Sequence, residues 1–96
     1  MERLSRVRVA TAGEVVEIMW DAREELLERA RPFPGGDELR RRFEAVGATS
    51  EVKLDHESKL LALDALERWL ADVGADALPQ GILHLRNALI NELATP

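Results

Sequence analysis

Residues 54–74 read LDHESKLLALDALERWLADVG, and this stretch decides the fold. Asp55 has the side chain of a helix N-cap, and Gly74 has the freedom to end a helix. Between them, Leu60, Leu63, Leu66, Leu70 and Val73 recur at helical spacing. Leu61, Ala65 and Trp69 widen that stripe. A stripe this broad predicts a helix over 55–73 with neighbours on more than one side. Its polar residues, Glu57, Asp64, Glu67, Arg68 and Asp72, form a narrow strip. It is therefore expected at the centre of the core, against the other helices, with Trp69 at the junction.

Working outward, Ala75–Leu78 is a connector and Pro79 suits the first turn of a last helix. Ile82, Leu85, Leu89 and Leu93 give that helix its buried stripe, while His84, Asn87 and Asn91 give it a polar one. Residues 94–96 are expected to fray. Upstream, Val52 and Leu54 alternate with Glu51 and Lys53, which predicts a short strand at about 50–54. Arg6–Ala10, RVRVA, alternates in the same way and predicts a strand at 6–10. Thr11-Ala12-Gly13-Glu14 reads as a capping box. A helix is expected from there to Pro32, with Val15, Met19, Ala22, Leu26 and Ala30 as its buried stripe. Pro32-Phe33-Pro34-Gly35-Gly36 is a loop. Asp37 then caps a second helix ending at Gly47, with Leu39, Phe43 and Val46 inward.

The expected fold is thus mainly α, with α+β at the margin. Four helices, grouped around helix 55–73 as the central one, and two short strands give the order β-α-α-β-α-α. A shift of 45 residues pairs Val7 with Val52 and Val15 with Leu60, a pseudo-repeat of pattern that decays beyond Ile18 and Leu63. Ninety-six residues make one domain, 1–96.

Composition narrows the chemistry. There is no cysteine, which excludes disulfides, cysteine-ligated metals and thiol nucleophiles. With no apolar leader in MERLSRVRVA, a cytoplasmic protein is expected. The net charge is −5, and the deficit of cations lies in the second half. A chain of this charge lacks the basic field that bulk nucleic-acid binding requires. The two histidines have no local partner at metal-ligand spacing: three and four residues after His56 stand Lys59 and Leu60. No phosphate-binding glycine loop, nucleophile elbow or EF-hand loop occurs. No catalytic, metal or cofactor residue is assigned, and no enzyme is expected.

Two surface features remain. Glu14, Glu17, Asp21, Glu24 and Glu28 would form an acidic stripe on the first helix, with Trp20 interrupting its polar side. Such a stripe steers basic partners, and an exposed Trp is a common anchor at interfaces. The expected function is a non-catalytic protein–protein interaction module of regulatory or inhibitory type. Its partner is a basic protein or, by homodimerisation, a second copy. The alternative is nucleic-acid binding through Arg40, Arg41 and Arg42 on the second helix with Arg6 and Arg8 on the strand edge. A small enzyme built on paired carboxylates is a lesser alternative. Each feature also has an ordinary reading: a solvated acidic face, and arginines that complement a helix C-terminus or guard a strand edge.

Overall fold

The computed structural model describes residues 6–46 and 50–94. It is mainly helical, with four helices and a three-stranded sheet. The elements are β1 (Arg6–Ala10), β2 (Val15–Met19), α1 (Trp20–Ala30), α2 (Gly36–Glu44), β3 (Glu51–Lys53), α3 (His56–Val73) and α4 (Ile82–Ala94). A single 3-10 turn, Ala75–Ala77, joins α3 to α4. The order is therefore β-β-α-α-β-α-α, one strand more than the sequence reading. The second helix's expected end at Gly47 lies outside the described residues, as do 95–96 of the tail.

The extra strand corrects the reading of residues 11–19. Thr11 does bond to Glu14, with its hydroxyl accepting the Glu14 amide at 3.2 Å and donating to the Glu14 carbonyl at 2.7 Å. The Thr11 amide also donates to that carbonyl, at 2.8 Å. These bonds close a hairpin turn over Ala12-Gly13 rather than start a helix. Val15-Val16-Glu17-Ile18-Met19 follows with the exposure alternation of a strand: Val16 and Ile18 are buried, while Val15, Glu17 and Met19 are exposed. Three β-branched residues in five disfavour a helix and suit a pleated, half-buried surface. α1 therefore starts at Trp20. Val15 and Met19, expected in its buried stripe, are 41% and 43% exposed. Ala22, Leu26 and Ala30 remain buried, joined by Leu27.

The sheet order is β2-β1-β3. β1 pairs antiparallel with β2, Val7 opposite Ile18 and Val9 opposite Val16. It pairs parallel with β3, Val9 opposite Val52. One face of the sheet is thus valine and isoleucine throughout, and it packs on the helices. The pseudo-repeat equates Val15–Ile18, a strand, with Leu60–Leu63, part of α3, so it does not extend past the first strands.

α3 is 18 residues long and packs against α1, α2 and α4. Asp55 caps it by accepting the Ser58 amide at 2.9 Å. Its buried face is Ser58, Ala62, Ala65, Leu66 and Trp69. That face is rotated from the leucine stripe read in the sequence, and Leu60 and Val73 are 43% and 38% exposed. Small residues at 58, 62 and 65 let neighbouring elements approach closely, and the bulkier leucines flank that line. Trp69 is buried, with the Arg29 guanidinium of α1 5.2 Å from its ring centroid.

Two close approaches set the helix positions. A Cβ on Gly36 would lie 2.5 Å from the Ala30 carbonyl oxygen, so α2 begins against the end of α1. A Cβ on Gly81 would lie 2.4 Å from the Glu17 carbonyl oxygen, and Gly81 has φ +95°. The turn before α4 therefore seats on the backbone of β2 and covers that strand at its middle. The other end of α4 is held to the hairpin turn by Glu92. One carboxylate oxygen accepts the Ala12 amide of the hairpin turn at 2.8 Å, and the other pairs with the Lys59 ammonium of α3.

Gly81→Ala meets both backbone strain and a backbone clash, and should cost roughly 3 kcal/mol. In a domain this small that lowers the melting temperature by roughly 10–20 °C. Gly13→Ala, with nothing within 4 Å, should leave it nearly unchanged, as calorimetry can check. The hydrogen bond from Lys59 holds the Glu92 carboxyl below the usual carboxylate range, and the Ser58 amide does the same for Asp55. A carboxyl depressed on folding contributes stability above its unfolded pKa of about 4, lost as pH falls through the folded value. Denaturant unfolding below about pH 4.5 should accordingly show a shallower acid loss in Glu92→Gln than in the wild type.

Candidate functional surface

The fold does not bring the five carboxylates of the expected stripe onto one helix. Glu14 closes the hairpin turn, and its carboxylate lies 2.7 Å from His84 Nε2 of α4. Glu17 is on the outer face of β2 and meets Arg6 at 3.2 Å. Asp21 is in the first turn of α1, where a carboxylate suits the helix dipole. Glu24 pairs with Arg23, and Glu28 lies 3.5 Å from Arg31 and 3.3 Å from Arg40. Only the last three share α1. Of the polar stripe on α4, His84 partners Glu14, and Asn87 Oδ1 accepts from Arg86 at 3.0 Å.

The arginines are brought together in part. Arg6 and Arg8 share a depression on the outer face of the sheet, Arg6 also lines a cavity with Arg40, and Arg8 lines one with Arg42 and Lys53. Arg41 lines none of these and pairs with Glu38 at 2.8 Å. Arg40 also lies 3.5 Å from Glu44. Arg42 Nη2 reaches Asp55 at 3.0 Å. Its Nε is 3.2 Å from Glu38 without the alignment of a hydrogen bond, leaving that buried nitrogen unsatisfied among the described residues. The arginine run thus holds α2 to its surroundings through carboxylates.

The outer face of the sheet is a surface that sequence periodicity partly concealed. β1 presents Arg6 and Arg8 outward, β2 presents Val15, Glu17 and Met19, and β3 presents Glu51 and Lys53. The register sets Arg8 between Glu17 on one side and Glu51 on the other. A depression of about 680 Å³ lies over this face, reaching His84 and Gly81 at the start of α4. Val15, Met19 and Trp20 are three of the five large apolar side chains exposed among the described residues. They follow one another along β2 and into α1. The alternation of VVEIM in the sequence was the signal for this face, and the capping motif ahead of it masked that signal.

At the corner where β2 becomes α1, Trp20 is 45% exposed and Arg23 only 5%. The Arg23 guanidinium carbon lies 4.1 Å from the centroid of the Trp20 ring and 5.9 Å from that of Phe43. Burial lowers the pKa of Arg23, with Glu44 acting in the opposite sense. The cation thus lies over both rings, and a planar guanidinium can stack on an aromatic face where an ammonium cannot. Among the described residues there is no group of three or more His, Asp or Glu side chains placed to hold a metal, and no helix long and apolar enough to cross a membrane.

Arg23→Lys keeps the charge but loses the stack, and should destabilise the fold by about 1–2 kcal/mol. Arg23→Met, apolar and of similar length, should cost less than about 1 kcal/mol, because removing a buried charge offsets the lost contacts. Urea unfolding distinguishes the two. Comparison of the chain with protein-family models, with curated proteins and with solved structures returns no match.

Proposed function

We propose that the chain is a non-catalytic interaction module that pairs with a second copy of itself through the outer face of the sheet. One observation carries this reading: Val15 and Met19 are exposed on either side of Glu17 on the outer face of β2, and Trp20 is exposed beside them at the corner where β2 becomes α1. Monomeric proteins place single apolar residues on their surfaces freely, but neighbouring exposed ones of this size favour an interaction face.

The occupant follows from the charge pattern. Arg8 stands between Glu17 and Glu51, so cations run down the middle strand and carboxylates flank them. A uniformly basic or acidic partner meets repulsion on such a face. A second copy related by a two-fold axis that passes between β1 and β2 sets the arginines of one copy against Glu17 of the other, and two-fold interfaces are self-complementary in this way. Edge-to-edge pairing of β2 draws no support, because Gly81 closes on the Glu17 carbonyl. The exposed residues of the outer face favour association face to face.

The version with a basic partner on the first helix draws less support, since Glu17, Glu24 and Glu28 already have arginine partners within the chain. Nucleic-acid binding is weakened by the same physics. Phosphate would have to displace carboxylates from Arg6, Arg40, Arg41 and Arg42, which lowers the gain from each contact.

Sedimentation equilibrium at up to about 100 μM tests the proposal, a range in which a dissociation constant near 10 μM is readily seen. The wild type should be a dimer. The double variant Val15→Lys, Met19→Lys places like charges across the interface and should weaken association by roughly 100-fold, about 3 kcal/mol. A wild type that stays monomeric throughout, or a double variant that dimerises equally well, would sink the idea.

A further inference from the structure

Beyond self-association, we propose that the cavity between β1, the start of α1 and the end of α2 binds a small aromatic monocarboxylate. The cavity holds about 490 Å³, within the range of small-molecule sites. Its walls include the rings of Trp20 and Phe43, with the guanidinium of Arg23 held against them. Arg6 and Arg40 also line it, together with Glu24 and Glu44.

Three observations select the ligand. First, Arg23 is a cation carried into the interior, 5% exposed, and its carboxylate partner among the described residues, Glu24, has a side chain 43% exposed. Glu24 bonds to this buried charge and Glu44 acts on it favourably, yet burial outweighs them and lowers the pKa of Arg23. An anion entering the cavity offsets it. Second, the Arg23 guanidinium carbon lies over the Trp20 ring, while its Nη1 donates to Glu24. The in-plane N–H groups are the ones that bind a carboxylate in bidentate fashion. Third, two aromatic walls favour a planar apolar body, which gains by ring stacking or edge contact. Glu24 and Glu44 oppose a second negative charge, so a monoanion is preferred over phosphate.

Isothermal titration of the wild-type chain with benzoate, with its neutral analogue benzamide and with inorganic phosphate tests the assignment. Benzoate should bind one to one with a dissociation constant of about 1 mM or below. Benzamide and phosphate should each bind at least about 10-fold more weakly. Arg40→Gln should weaken benzoate by about 10-fold, the loss of one charge-assisted contact. Arg23→Met should abolish binding while thermal melting shows a folded protein. If that variant does not fold, Arg6→Gln and Arg40→Gln carry the test, since both residues stand at the rim. No heat of binding with benzoate up to about 10 mM would overturn the proposal. Equal binding of benzamide, or benzoate affinity unchanged by both glutamine substitutions, would do so as well. Dimerisation is read separately by sedimentation, so failure here leaves that reading untouched.

Discussion

The structure depends on the position of β1 between two partners. Its five residues pair antiparallel with β2, the neighbouring strand, and three of them also pair parallel with β3, which lies more than forty residues further along the chain. A two-stranded ribbon alone is marginal in water, and a third strand with an apolar face is what makes a sheet this short persist. Val7 and Val9 supply the middle of that face, with Val16 and Ile18 on one side and Val52 on the other. The parallel pair also obliges α1 and α2 to form the crossover between β1 and β3. Everything that follows β3 is laid against the surface so created.

Once one face of the sheet is committed to the core, period-two alternation delivers the other face to solvent. The residues there are consequently not a random sample. They are arginines on β1, a carboxylate between two apolar residues on β2, and a carboxylate and a lysine on β3. The turn at Gly81 closes β2 at its middle by backbone proximity, which protects an edge without charge or proline. The sheet can therefore meet another molecule face-on while that part of its edge is withheld.

Much of the chain's charge is spent internally. Arg6, Arg29, Arg40, Arg41, Arg42, Lys59, Arg68 and Arg86 each meet a carboxylate of the same chain. Exposed pairs of this kind contribute little to stability. Their consequence lies in recognition: runs that look strongly acidic or basic in one dimension become interleaved in three. The buried exception is Arg23, whose cation is covered by aromatic faces as well as by a carboxylate.

The sequence by itself determined the helical segments that have both caps and sustained periodicity. α3 and α4 are legible because their local signals agree: Asp55 before, Gly74 after, and apolar spacing in between. Rotation of the α3 face was not legible, since Leu60 and Ala62 compete for the interior and the close approach of neighbours favours the smaller side chain. Residues 11–19 carried two local signals in conflict. The Thr11–Glu14 bonds serve a hairpin as well as a helix cap, and only pairing with β1 decides for the strand. With that decision the acidic stripe disperses and the sheet's outer face comes into being. The Trp20–Arg23–Phe43 corner likewise required the tertiary structure, because it joins α1 to α2 across twenty residues that no spacing rule relates. Local free energies choose between turn and helix only weakly. The contacts that broke the tie are long-range, and they exist only once the chain has folded.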